Sequence, residues 1–203
     1  DVLLEYIEKL QRNTGHHIGL STEELAALAA TMEVRHYNKK EKLIDINQKE
    51  QYLHFVVRGL VRKFFYKGKQ EIVTQLSKEG DLVSSTVSFF SELPSEYVVE
   101  TIEPTTFYSL SKEKMDQLCI QYPNLNKLGR LILTDLVLQR ENWELNQLKY
   151  NLKERFFQFI ENNADLVSRV PQKYLAAYLN IKPETFSRLK HLLNKDTQSR
   201  SVK

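Results

Sequence analysis

One cysteine, Cys119, is the chain's entire supply of thiol, which excludes an internal disulfide and any cysteine-built iron–sulfur or zinc centre. Leu118 and Ile120 flank it in a stretch expected to be helical, so it is read as a packing residue. Long apolar runs are missing as well: none approaches the roughly 20 residues that a bilayer crossing needs. Acidic residues interrupt the opening DVLLEYIEKLQ, which makes it an amphipathic helix rather than a secretion signal. With neither a membrane segment nor an export signal, the expected location is the cytoplasm. Also absent are a P-loop, a nucleophile elbow, a His/carboxylate metal spacing and a Gly-rich phosphate cradle. Paired carboxylates such as Glu23 and Glu24 fall on an amphipathic helix and read as a solvated face. No catalytic residue, no metal ligand and no enzymatic activity are therefore expected.

All six glycines lie at or before Gly129, and the texture of the chain changes near that point. Residues 1–31 read as helical, with Ser21 and Glu24 spaced as a capping box. From Glu33 to Ser109 the apolar period shifts to two. Short strands are expected over 33–37, 42–46, 52–58, 60–66, 71–76, 97–102 and 106–110, with Gly68 in a hairpin turn. That rhythm predicts an antiparallel barrel or sandwich. Ser111 opens a further helix that ends near Pro123, and Ser84 to Ser91 can form either a short helix or a capped turn.

From Asn124 to about Asn162 there is no proline and no breaker except Gly129, so one long helix is expected. Two apolar rows run along it at seven-residue spacing. Leu131, Leu138, Leu145 and Leu152 form one; Leu136, Trp143, Tyr150 and Phe157 form the other. The five-residue offset between them amounts to about 140° around a helix. Two separate apolar faces need two partners, which the barrel and the same helix of a second copy would supply. Leu131, Leu138, Leu145 and Leu152 are the expected dimer interface. Burial of both faces within a monomer would satisfy the pattern too.

The segment 172–191, QKYLAAYLNIKPETFSRLKH, reads as a helix-turn-helix. Leu175, Leu179, Ile181, Phe186 and Leu189 are apolar where two crossing helices must seal, and Ala176 is small where they pass closely. Asn180 sits where the turn needs a left-handed backbone, and Pro183 suits the first turn of the next helix. Lys182, Glu184, Thr185, Ser187, Arg188 and His191 are left outward, free to enter a major groove of duplex DNA. Residues 151–203 hold ten basic and five acidic side chains, a net +5, whereas the other 150 residues hold 19 and 21, a net −2. Positive charge is thus concentrated beside the motif, as phosphate binding requires.

A helical start, a strand-rich barrel, a long helix and a helix-turn-helix, in that order, resemble the Crp/Fnr (cyclic-AMP receptor protein-like) family of bacterial transcription regulators. The likeness spans nearly the whole chain. It is most specific in YLHFVVRGLVRKFF with its following hairpin, in LSKEGDLVSSTVSFF and in KPETFSRLKHLL. It implies an α+β fold: a cyclic-nucleotide-binding-like β-roll (a jelly-roll barrel) with flanking helices, a long dimerisation helix, and a winged-helix-like helix-turn-helix. The implied domains are a sensor over 1–123, the dimerisation helix over 124–150 and a DNA-binding domain over 151–203. By resemblance Glu184 and Arg188 touch base edges and Thr185 holds a phosphate. The chemistry suits these roles, since Arg pairs bidentately with guanine and a carboxylate accepts from a cytosine amino group. Glu184 and Arg188 can also brace each other at i and i+4.

The sensor half departs from the nucleotide-binding pattern. Ser84, Ser85 and Thr86 stand where nucleotide-binding relatives have a Gly-Glu-Leu segment that takes the ribose. Ser95, Glu96 and Tyr97 stand where those relatives grip the cyclic phosphate with an arginine. These six residues are the candidate effector pocket. Loss of the arginine removes a charge-assisted bond of roughly 1.5–3 kcal/mol, about one to two decades of affinity, so cyclic AMP and cyclic GMP are not expected ligands and no cofactor is predicted. Haem would need an axial ligand, but His16, His17, His36 and His54 read as solvated or ordinarily hydrogen-bonded. After the recognition helix only LNKDTQSRSVK remains, too short for a packed wing and expected to fray or to meet phosphates through Lys195, Arg200 and Lys203. The expectation is a homodimeric, sequence-specific DNA-binding regulator. Its partners are duplex DNA, a second copy and, for an activator, RNA polymerase, for which no residue pattern marks a surface. A ligand-sensing or protein-interaction module whose helical tail only assembles the protein is the alternative.

Overall fold

A computed structural model describes the backbone of residues 2–200 and the side chains of residues 2–193. Two compact units emerge, Asp1–Lys63 with Leu76–Glu141, and Phe64–Gln75 with Asn142–Lys203.

The first begins with α1 (Val2–Thr14) and α2 (Thr22–Thr31). The Ser21–Glu24 capping box forms in both directions, which fixes where α2 starts. Strands then follow along the chain: β1 (Glu33–Tyr37), β2 (Lys42–Ile44), β3 (Tyr52–Arg58), β4 (Val61–Lys67), β5 (Gln70–Ser77) and β6 (Leu82–Val83), of which β4 and β5 fall largely in the second unit. After α3 (Thr86–Ser91) come β7 (Val98–Thr101), β8 (Thr105–Ser111), α4 (Lys112–Gln121) and α5 (Leu125–Lys149). Two four-stranded sheets have the orders β1-β8-β3-β6 and β2-β7-β4-β5. Those pairings whose register is resolved are antiparallel.

Alternation along β3 separates two cores. Leu53 and Phe55 join the helices, in a cluster with Tyr6, Ile7, Leu10, Leu28, Phe89, Leu118 and Ile132. Val56 faces the other way, into a cluster with Ile44, Val61, Val83, Val99 and Phe107. His54 shares that inner side, 5.4 Å from the Phe107 ring, and bonds Ser109 Oγ at 2.8 Å. Burial holds its imidazole neutral, with its pKa lowered from 6.5 to about 3. Gly59 has φ 118°, and a Cβ there would stand 2.4 Å from Thr105 Oγ1, so only glycine fits this crossing.

The second unit carries α6 (Leu152–Asn162), α7 (Ala164–Arg169), α8 (Gln172–Tyr178) and α9 (Pro183–Arg200). The single long helix expected over 124–162 is instead two. Asn151 caps α6: its side chain accepts from Glu154 N at 3.1 Å, and Glu154 Oε2 accepts from Asn151 N at 2.8 Å. A reciprocal cap substitutes for the carbonyls of a preceding turn, so a helix can stop there without proline or glycine. The expected dimer row is broken accordingly. Leu152 lies on α6, and Leu131 is buried in the core of the first unit, leaving Leu138 and Leu145 exposed on α5. The backbone beyond the expected end of the recognition helix continues as α9 to Arg200 rather than fraying. The side chains of Lys195 and Arg200, and Lys203 itself, lie outside the described residues.

Candidate nucleic-acid interface and sensor site

The helix-turn-helix is built from the core outward. Leu175, Ala176, Phe186 and Leu189 are buried, and Phe186 stands edge-on to Phe156 with ring centroids 5.1 Å apart. Leu179 and Ile181 are half-buried at the bend. Ala176 O accepts from Ile181 N at 3.0 Å, a backbone approach that its small side chain leaves open. Asn180 takes φ 53°, the left-handed conformation its position requires. Pro183 then opens α9, and Gln172 Nε2 donates to its carbonyl at 3.5 Å.

This geometry leaves Lys182, Glu184, Arg188 and His191 exposed and Thr185 and Ser187 half-exposed. Glu184, Ser187, Arg188 and His191 line one open depression of about 610 Å³, which Lys182 and Thr185 do not join. None of the six makes a side-chain hydrogen bond or ion pair among the described residues, so the expected Glu184–Arg188 brace is absent.

The sensor cluster is the reverse. Ser84, Ser85 and Ser95 are buried, Thr86 and Tyr97 are half-buried, and Glu96 is exposed. Ser95 Oγ lies 2.7 Å from Ser85 Oγ and 2.8 Å from the Tyr97 carbonyl, and it accepts from Tyr97 N at 3.0 Å. The acidic group in the cluster is not Glu96 but Glu50, which sequence reasoning missed. Its carboxylate accepts from the backbone N–H groups of Ser85, Gln51 and Tyr52, each at 3.1 Å. Burial raises the Glu50 pKa above the usual carboxylate range, against the pull of those three donors. Ser84 Oγ also favours the charged carboxylate, yet it makes no hydrogen bond of normal geometry. Lys63, missed too, donates from Nζ to Ser84 O at 3.1 Å and sits 5.2 Å from the Tyr97 ring centroid. Burial lowers its pKa from 10.5 to about 8, while the Glu50 charge acts in the opposite direction. No periodicity marks either residue as part of a site, although Lys63 lies inside the segment YLHFVVRGLVRKFF. Glu50 lies in the polar stretch NQKEQ and Lys63 in the apolar stretch LVRKFFY, and only the fold makes them neighbours.

Among the described residues no group of His, Cys, Asp and Glu is placed to hold a metal ion. No described helix is long and apolar enough to cross a membrane. Residues 34–122 match the family model of the cyclic nucleotide-binding domain. Among solved structures the chain is similar to FixK2 from Bradyrhizobium japonicum, with a TM-score of 0.67, 18% identity and coverage of 82% of this chain and 86% of that one. It is also similar to CLP, the c-di-GMP-responsive global regulator of Xanthomonas campestris, with a TM-score of 0.64, 17% identity and coverage of 87% and 93%. The Thermus thermophilus catabolite activator protein follows, with a TM-score of 0.54, 23% identity and coverage of 91% and 88%. The chain has the Crp/Fnr fold. A search of curated proteins finds no match.

Within the Crp/Fnr fold, the matched domain contains the whole Ser84–Tyr97 cluster together with Glu50 and Lys63. The helix-turn-helix lies beyond it, in the second compact unit.

Proposed function

We propose that the protein is a homodimeric, sequence-specific DNA-binding transcription regulator of the Crp/Fnr type, acting in the cytoplasm. The observation that carries this reading is the outward side of α9 and the residue before it, where Lys182, Glu184, Thr185, Ser187, Arg188 and His191 make no side-chain hydrogen bond or ion pair among the described residues. Polar side chains on a rigid helix with nothing to bond inside the protein are suited to base edges and phosphates. The +5 charge of residues 151–203 supports the same reading. Glu184 and Arg188 would read bases, while Thr185 and Lys182 would hold phosphates.

Pairing of two copies would fall to α5. Leu133, Val137, Leu138, Leu145 and Leu148 are exposed there, within an arc of about 140° on the helix surface. This row replaces the one built on Leu131 and Leu152. The working division is a sensor over 1–123, a dimerisation helix over 124–150 and a DNA-binding domain over 151–203. In the dimer the two recognition helices would stand about 34 Å apart, one turn of the duplex.

The sensor would not grip cyclic AMP or cyclic GMP. Ser95 stands in place of an arginine, and the Ser85 N–H already meets the Glu50 carboxylate. An incoming phosphate would have to displace that carboxylate and bear its repulsion. The reading is tested by DNA affinity against ionic strength. Six to ten phosphate contacts predict a loss of roughly 10³–10⁵ in affinity between 50 and 200 mM salt. An affinity that barely changes, or no DNA binding alongside intact dimerisation, would favour an assembly module instead.

A further inference from the structure

A cavity of about 380 Å³ lies in the first unit, bounded by β3, β8, the helices α2 to α4 and the first half of α5. Leu53, Phe55, Leu110, Leu118, Leu128 and Ile132 form its buried walls. A Cβ at Gly129, which lines the cavity, would meet nothing within 4 Å, so the space beside it is open. Such walls offer water no hydrogen-bond partners, and the volume falls within the range of roughly 300–1,000 Å³ seen for small-molecule sites.

Polar groups are confined to the rim, at Asp116, Asn126 and Arg130. The Asp116 carboxylate is 3.7 Å from Lys112 Nζ, a cation it shares with Glu92 at 3.6 Å. The Asn126 amide donates to the carbonyls of Cys119 at 3.3 Å and Pro123 at 3.1 Å. Arg130 alone of the three has no ion pair or side-chain hydrogen bond among the described residues. Arg130 is therefore the rim cation left to meet an anion among the described residues. We propose that this cavity binds a monocarboxylate with a hydrocarbon tail, the tail among the apolar walls and the carboxylate on the Arg130 guanidinium. A cyclic nucleotide would be refused, because its ribose would lose hydrogen bonds to water against walls that return none. Leu133, at the mouth, also belongs to the exposed apolar row of α5, so an occupant would lie beside the proposed dimer seam. The site needs nothing from the DNA-binding reading and stands or falls separately.

The test is calorimetric titration of the full chain with decanoate, decanol and acetate, together with alkylation of Cys119 by N-ethylmaleimide. Cys119 lines the cavity and is the chain's single cysteine, so it reports occupancy. Decanoate should saturate one site per chain and slow the alkylation. Decanol should bind about tenfold more weakly for want of the charge-assisted bond, and acetate should not bind. Arg130→Ala should bring decanoate down to the decanol value, while Gly129→Phe should block both tails. Should the Gly129 variant fail to fold, the Arg130 comparison still decides. Absence of saturable decanoate binding, or equal affinities for decanoate and decanol in the unmodified protein, would overturn the proposal. So would protection of Cys119 that follows protein concentration rather than decanoate, which would assign the cavity's cover to a second copy.

Discussion

In the β-roll, Glu50, Ser85 and Ser95 are buried and close their hydrogen bonds on one another and on nearby backbone, whereas in the helix-turn-helix Glu184, Arg188 and His191 stand exposed with no side-chain hydrogen bond among the described residues. Both sets are polar residues at candidate sites. The first set is already satisfied, and an incoming group must compete with the protein itself. The second loses only water when a partner arrives. A polar side chain thus says little about binding until its existing partners are known.

The contrast can be broken from either side. Phe186→Ala removes the ring that holds α9 against α6 and should cost about 3–5 kcal/mol of stability, read as a lowered midpoint in urea, with DNA binding lost alongside. A normal midpoint with lost DNA binding would mean that Phe186 does more than pack. In the sensor half, His54 is neutral when folded and protonates near pH 6.5 when unfolded. Between pH 6.5 and about 3 the unfolded chain therefore binds the extra proton, and stability must fall as pH falls through that window. The slope should reach about 1.4 kcal/mol per pH unit, and His54→Gln should flatten it in urea titrations at several pH values.

Smaller effects sharpen the picture. Arg188→Ala should relax preference at one base position by roughly 1–3 kcal/mol in competition binding while leaving thermal stability unchanged. An unaltered sequence profile would remove Arg188 from the reading set. Leu148→Glu replaces a side chain that is 87% exposed, so its cost to the isolated fold should stay within about 0.5 kcal/mol. Sedimentation should nevertheless show a shift from dimer toward monomer. Retention of the dimer would place the seam elsewhere.

Period-two alternation located β1 and β3 to the residue, and Asn180 with Pro183 located the turn before α9, because each depends on near neighbours in the chain. Failures came where the decisive partner was distant or the signal quiet. The break before α6 was written in Asn151 and Glu154, a capping box as regular as that of Ser21 and Glu24, but no proline or glycine drew attention to it. Leu131 matched a seven-residue row yet turns into the core, since spacing gives a helix face without saying which neighbour covers it. Glu50 reaches Ser85 across 35 residues of chain, a contact that only the roll creates.

The most direct test of the central claim is selection of bound sequences from a pool of random duplexes by the full-length protein. Two recognition helices on a two-fold axis predict an inverted repeat whose half-sites are centred about one helical turn apart. Enrichment of a lone, asymmetric half-site, or of nothing at all, would contradict it.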